Sequence, residues 1–221
     1  MYLCYINFFM IKNTAEFYSV LLKKFQYSPT SKQRKLLQLL SEFTFSIDKD
    51  NLFLLKGYAG TGKTTSIGAF VNSLSLTGRK SVLLAPTGRA AKIISVYSKR
   101  PAFTIHKKIY HPKKTSNGGV EFVRQVNKHT HTVFFVDEAS MVGPGIHKDL
   151  LSYGVPIIYI GDHGQLPSIE GKFNLMEENG LDAKLTQVHR QAEKSPIIRL
   201  SMDIRNGVPV GWGEYGDEGL V

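Results

Sequence analysis

Disulfide chemistry is closed to this sequence. It holds one cysteine, Cys4, so neither an internal disulfide nor a cysteine-built zinc cluster can form, and that usage suits a reducing, cytoplasmic setting. Long apolar runs are missing too: none reaches the roughly 18 residues that a membrane-spanning helix needs, so no membrane partner is expected. The apolar start, Met1 to Ile11, has no basic residues ahead of it and no small-residue cleavage site behind it, so it does not read as a signal peptide. Internal repeats and low-complexity tracts are absent. Acidic residues are scarce relative to basic ones, 18 Asp+Glu against 28 Lys+Arg for a net charge of +10.

What is present is ordinary globular composition, 42% hydrophobic and 21% charged over 221 residues, which excludes a disordered chain and allows a substantial core. The positive charge is unevenly placed. From Lys99 to His131 eight basic residues face one acid, Glu121, a net of +7. Such a concentration points to a polyanionic partner, nucleic acid, or to a solvated lysine-rich loop.

Four short, continuous apolar runs begin at Leu52, Val82, Val133 and Ile157, and each runs out close to a Gly, Pro or Asp. Runs of this kind suit strands buried on both faces of a parallel sheet. Helical patterns lie between them, at Lys63 to Leu76, Arg89 to Tyr97 and Ile146 to Leu151. A further helix over Thr30 to Phe43 precedes the first strand. The alternation predicts an α/β fold with a parallel sheet flanked by helices. Between Tyr110 and Thr132 the pattern is interrupted: residues 111–119 are turn-rich, and Val120 to Val126 reads as one arm of a hairpin. A short strand at Leu185 and a helix from Ser195 to Arg205 complete the pattern.

The segment GYAGTGKT, Gly57 to Thr64, matches G-x-x-x-x-G-K-[ST] and lies between a buried strand and a helix. Its residues Gly57, Ala59, Gly60, Thr61 and Gly62, with Thr65 beyond them, let backbone N–H groups wrap phosphate at a helix N-terminus. Lys63 reaches the β- and γ-phosphates, and the Thr64 hydroxyl ligates Mg²⁺. The strand Val133 to Val136 delivers Asp137 as a second magnesium anchor and Glu138 as general base or water-orienting group. ATP and Mg²⁺ are the expected cofactors, and the chemistry is that of an NTPase.

At the sequence DEAS, Asp137 to Ser140, the motifs come to resemble those of the superfamily 1 DNA helicases, on the RecD-like and phage Dda-like branch. The resemblance runs from Thr30 to Val208 in family order. It implies a P-loop, RecA-like domain in which Gln33 of PTSKQ reads adenine. LAPTGRAAK, Leu84 to Lys92, resembles a motif that contacts single-stranded DNA through Thr87, Gly88 and Arg89. Thr104, His106 and Lys107 resemble the next DNA-contacting element. GDHGQLP, Gly161 to Pro167, is similar to the motif whose glutamine, here Gln165, senses the γ-phosphate, although Ser168 stands where the family usually has proline. LTQVHRQ, Leu185 to Gln191, resembles the motif that supplies an arginine finger, here Arg190.

The resemblance further implies a 5′→3′ helicase of a bacterial or phage-infected cell, acting in DNA replication, repair or recombination. Residues 1–27 are expected to be an N-terminal extension and 28–180 a first motor domain. Residues 107–131 are expected to form a small basic, pin-like hairpin insertion, and 181–221 the start of an incomplete second motor domain. Motifs V and VI would then come from a second chain or domain. The alternative is a non-translocating, ATP-gated accessory ATPase that binds single-stranded DNA. Tyr110, His111 and Phe122 are candidates to stack on bases, with core packing the expected fate of Phe122, and His129 and His131 are expected to be ordinary strand histidines. Translation is expected to start at Met10. The intact mass of natively expressed protein then lacks residues 1–9, and a mass that includes them contradicts this start.

Overall fold

The computed structural model describes residues 10–46, 52–58, 60–162, 175, 182–186 and 196–210. Six parallel strands form its sheet: β1 (Leu52–Gly57), β2 (Lys80–Ala85), β3 (Ala102–Thr104), β6 (Thr132–Val136), β7 (Ile157–Gly161) and β8 (Ala183–Leu185), in the spatial order β3-β2-β6-β7-β1-β8. The central strands β6 and β7 are buried along their whole length, as a continuous apolar run with both faces covered requires.

Helices cover the two faces. On one side lie α1 (Thr14–Lys24), α2 (Ser31–Phe45), α3 (Lys63–Leu74) and α4 (Gly88–Ser98), packed on Phe53, Leu55, Leu83, Val133, Phe135, Ile158 and Ile160. On the other side lie α5 (Ile105–Ile109) and α6 (Pro144–Leu151), packed on Leu54, Leu84, Phe134, Val136, Ile157 and Tyr159. The alternation of strand residues between the two clusters is the period-two signature of a sheet with two buried faces. A last helix, α7 (Pro196–Arg205), follows β8.

Helix α1 lies within the expected N-terminal extension. The Asn13 side chain caps it by accepting the Glu16 N–H at 2.8 Å. Phe17 and Leu21 point into the core. The Phe17 ring lies edge-on to Phe70 of α3 at 5.7 Å and to Phe45 of α2 at 6.1 Å. Ile11 is also buried, and its N–H donates to Leu76 O at 2.9 Å.

The interruption in the helix–strand alternation is an antiparallel hairpin of β4 (Tyr110–Lys114) and β5 (Val120–Arg124), with Pro112 opposite Phe122. Gly118, at φ 79°, makes the turn. The hairpin stands off the sheet, so Phe122 is 69% exposed. This corrects the expectation of core packing: a two-stranded ribbon has no second layer to bury its apolar side chains.

Its base, by contrast, is tied down. Gln125 donates through its backbone N–H to Ile109 O at 2.7 Å and through its side chain to Tyr110 O at 2.8 Å. The Tyr110 hydroxyl donates to Asp149 of α6, Arg124 pairs with the same carboxylate at 3.7 Å, and Tyr153 donates to Ile109 O at 3.1 Å. Burial and the Asp149 acceptor push the Tyr110 hydroxyl up to about 12.

Two predictions follow from this packing. Phe17→Ala removes a fully buried ring between three helices and lowers the unfolding free energy by about 3–5 kcal/mol in chemical denaturation; a loss below 1 kcal/mol would mean α1 is not part of the core. Tyr110 has a folded-state value above its unfolded one. Its contribution is therefore complete below pH 10 and fades as pH rises toward 12. A Tyr110→Phe variant should lose less stability across that alkaline window, read by thermal melts.

Candidate nucleotide and DNA site

Strand β1 ends at Gly57, and the chain must turn sharply to enter α3 at Lys63. Gly60 (φ 73°) and Gly62 (φ 80°) take left-handed conformations that a side chain would strain. At Gly57 the constraint is contact: a Cβ there would lie 3.0 Å from both Leu185 O and Thr61 Oγ1. Thr61 is buried and donates its hydroxyl to Tyr58 O at 2.8 Å. The Lys63 ammonium donates to the carbonyls of Gly57 and Tyr58, the latter at 2.8 Å, so its charge sits over the mouth of the loop. Thr64 and Thr65 follow in the first turn of α3. Ala59 lies outside the described residues.

Asp137 leaves β6 beside this loop. Its backbone N–H continues the ladder to Leu84 O at 2.9 Å, and its carboxylate accepts the Glu138 N–H at 3.0 Å. Burial raises the Asp137 carboxyl, while that N–H and the Lys63 charge work in the opposite direction. Thr64 and Asp137 line one small pocket with Ile67, Gly68, Ile94, Ser98 and Ile160. A hydroxyl from the first turn of α3 and a carboxylate from the end of β6 form the hard-oxygen donor set that Mg²⁺ takes alongside water and phosphate oxygens. The residues therefore fit the metal, whose charge would hold Asp137 ionised.

Glu138 follows with φ 51° and ψ 43°. A non-glycine residue in this region costs about 1–3 kcal/mol and persists where its surroundings constrain it. Burial raises its carboxyl first and the Asp137 charge second, with Arg89 acting against both. A half-buried carboxylate of raised basicity at the edge of a phosphate site is suited to accept a proton from water.

Gln33 sits at the third position of α2 and closes a capping box. Its side-chain oxygen accepts the Thr30 N–H at 2.9 Å, while Thr30 Oγ1 accepts the Gln33 N–H at 3.3 Å. The amide nitrogen of Gln33 donates to Thr61 O at 3.3 Å. The residue is buried, and it joins the start of α2 to the phosphate loop. Lys32, one position earlier, donates to the Thr186 hydroxyl just past β8. Gln165 and Arg190 lie outside the described residues, although β7 and β8, which lead toward them, end at the same edge as the loop.

The expected DNA contacts gather at that edge too. Thr87 caps α4 by accepting the Ala90 N–H at 3.2 Å, which sets Gly88 and Arg89 in its first turn. Thr104 caps α5 by accepting the Lys107 N–H at 3.3 Å. Gly88, Lys92, Val96, Phe103, Thr104 and Lys107 line one groove between the two helices. His106 is exposed, with its ring 5.6 Å from Tyr110.

Lys92 and Val96 are groove residues that sequence reasoning did not single out, though their spacing of four on α4 was available as a signal. Asp149, which anchors the hairpin, carried no local signal: its partner Tyr110 is 39 residues away. His129 and His131 lie in the loop before β6 rather than in a strand, and His129 packs edge-on against Phe134 at 5.0 Å. Among the described residues, no group of three or more His, Cys, Asp and Glu side chains is placed to hold a metal ion, and no helix is long and apolar enough to cross a membrane.

The internal bonds of Gln33 generate a test. Gln33→Ala strands the Thr61 carbonyl and the Thr30 N–H, so it should cost about 1–3 kcal/mol of stability without nucleotide. A variant that melts like the unaltered chain and loses only nucleotide affinity would mean that Gln33 serves the base alone.

Comparison with known proteins agrees with this geometry. The AAA domain family matches residues 31–221. The ATP-dependent RecD2 DNA helicase of Deinococcus radiodurans is 32% identical over 169 residues, 74% of this chain and 23% of that protein. The ATP-dependent DNA helicase dda of Enterobacteria phage T4 is 33% identical over 173 residues, 72% of this chain and 39% of that one. The chain thus spans less than two fifths of either relative. The crystal structure of Pif1 helicase from Candida albicans shares the fold, with a TM-score of 0.53 and 19% identity over 82% of this chain and 45% of that chain. With a six-stranded parallel sheet, a complete phosphate loop and the DEAS strand end beside it, the chain belongs to the AAA domain family and is similar in sequence to RecD-like and Dda-like DNA helicases.

Proposed function

We propose that this chain is the ATP-hydrolysing part of a DNA helicase, coupling turnover to movement on single-stranded DNA in the 5′→3′ sense. The observation that carries the reading is that Lys63, Thr64, Asp137 and Glu138 share one sheet edge with the capped starts of α4 and α5. Lys63 meets the β- and γ-phosphates, and Thr64 and Asp137 would hold Mg²⁺, which when bound would supply positive charge against the phosphate oxygens. Glu138 orients water and takes its proton. Gln165 senses the γ-phosphate and Arg190 supplies a permanent positive charge to it. Gln33 contacts adenine from a position already bonded to the phosphate loop.

DNA phosphates meet backbone N–H groups at Thr87 to Arg89 and at Thr104 to Lys107, helped by the lysines of the groove and the hairpin. A second chain or domain that supplies motifs V and VI completes the motor, in the cytoplasm where ATP and DNA are found.

The test is ATP hydrolysis with and without single-stranded DNA. DNA should stimulate turnover. Lys63→Ala should abolish it, and Glu138→Gln should reduce it by about 10²-fold or more while ATP binding persists. Hydrolysis retained in Glu138→Gln would remove its role as base. Nucleotide-dependent DNA binding with slow turnover that DNA does not stimulate would favour the non-translocating accessory ATPase.

A further inference from the structure

Helix α4 borders two grooves. One, between α4 and α5, belongs to the sheet-edge DNA contact described above. The other lies on the α3 side, walled by the chain ends of α1 and α4. Its volume is 360 Å³, within the roughly 300–1,000 Å³ of small-ligand sites. Gly68 and Ala69 of α3 line it. A Cβ at Gly68 would make only an ordinary contact, 3.9 Å from Tyr97 O, so packing does not demand glycine there, and its small size leaves the groove open. The far end reaches Thr64 and Thr65, about 12 Å of helix from Asn72.

The chemistry of this groove is one-sided. Lys24 from the last turn of α1 and Lys99 from the C-cap of α4 line it with Asn72, and no acidic residue is among the described residues that do. Lys99 holds φ 54°, in a left-handed cap where glycine is the usual residue. Asn72 brings in a third cation: its Oδ1 accepts the Arg100 Nε–H at 2.9 Å, and its amide nitrogen donates to Ser98 O at 3.4 Å. The Arg100 carbonyl accepts the Ser95 hydroxyl at 2.8 Å. A neutral amide thus orients the guanidinium and leaves its charge uncompensated. Among the described residues, no carboxylate pairs with Lys24, Lys99 or Arg100. Three neighbouring cations without a counter-ion repel one another, and a bound anion relieves that repulsion. Beside them Tyr97 is 66% exposed and offers a flat ring.

We propose that this groove is a second nucleic-acid site, where Lys24, Lys99 and Arg100 hold a backbone phosphate of a single strand and Tyr97 stacks a base. The inference rests on the DNA reading of α4 and extends it. From Arg89 in the first turn to Lys99 is about 15 Å of helix, the reach of about four or five nucleotides at duplex spacing. A strand that crosses the first turn therefore reaches the groove along the same helix. Cations alone would also take an acidic peptide. The exposed ring beside them favours a nucleotide, which presents a phosphate and a flat face together.

Binding of a labelled oligothymidylate to the full chain is followed by fluorescence anisotropy at several salt concentrations, with neither nucleotide nor magnesium. Lys24→Ala, Lys99→Asn and Arg100→Gln should each weaken binding by about threefold or more and lower the salt slope by about one. Asparagine tolerates the left-handed backbone at position 99. Tyr97→Ala should weaken binding by about fivefold or more with the salt slope unchanged, the mark of a stacked base. Arg100→Lys keeps the charge without the bond to Asn72 and should recover part of the loss. Lys35→Ala, at an exposed lysine of α2 outside both grooves, is the control, and thermal melts check that each variant folds. Losses no greater than that of Lys35→Ala are a general effect of charge and overturn the proposal. Losses on the charge variants with none on Tyr97→Ala leave a bare phosphate site and overturn the nucleotide assignment. Groove variants that bind oligothymidylate normally but lose a labelled oligoglutamate mark a dock for an acidic protein, which also overturns it. If the groove variants lose binding and Lys107→Ala does not, the sheet-edge reading fails and this site stands. No binding by the unaltered chain fails both.

Discussion

Six strands that run in one direction bring all their C-terminal ends, and every loop that follows them, to a single edge of the sheet. Backbone N–H groups at helix starts then face outward together, which is why open parallel sheets bind ligands there. In this chain the edge carries the phosphate loop after β1, Asp137 and Glu138 after β6, Thr87 after β2 and Thr104 after β3. On this edge the end of β6, which carries the proposed nucleotide residues, adjoins the end of β2, which leads to the proposed DNA-contacting turn. Asp137 bonds directly to Leu84, the strand residue that leads into the α4 turn.

That edge is held firm from behind. Gln33 fastens α2 to Thr61, and Leu185 of β8 packs so closely on Gly57 that a Cβ there would lie 3.0 Å from the Leu185 carbonyl oxygen. Below, the aromatic stack of Phe17, Phe70 and Phe135 joins α1, α3 and β6 through one core. The left-handed Glu138 persists because Val136, two residues before it, and Ala139, directly after it, are fully buried and fix the path of the chain. The hairpin is the opposite case: anchored at its base by Asp149 and Tyr153, it exposes Val120, Phe122 and its lysines to solvent.

Much of this was legible in the residues. The apolar runs at Leu52, Val82, Val133 and Ile157 became β1, β2, β6 and β7, because a strand buried on both faces needs an unbroken apolar sequence. GYAGTGKT marked its own turn, since two of its glycines carry φ angles that other residues avoid. β3 was invisible: three residues, Ala102 to Thr104, with intermediate burial give no periodic signal. α1 was overlooked although Asn13, Glu16, Phe17 and Leu21 carry both a cap and an i, i+4 apolar pair. Phe122 was misjudged because an aromatic residue in a strand pattern signals burial only where a second layer exists to bury it. The bonds of Asp149 and Gln33 link residues far apart in sequence, and local pattern does not reach that far.

The central claim is that nucleotide and DNA act on one another across this shared edge. The most direct measurement is the affinity of the chain for single-stranded DNA with and without a non-hydrolysable ATP analogue and Mg²⁺, titrated at fixed ionic strength. A coupling of 1 kcal/mol or more, about fivefold in affinity, is the predicted result. The same DNA affinity in the two conditions, with analogue binding shown independently, would contradict it.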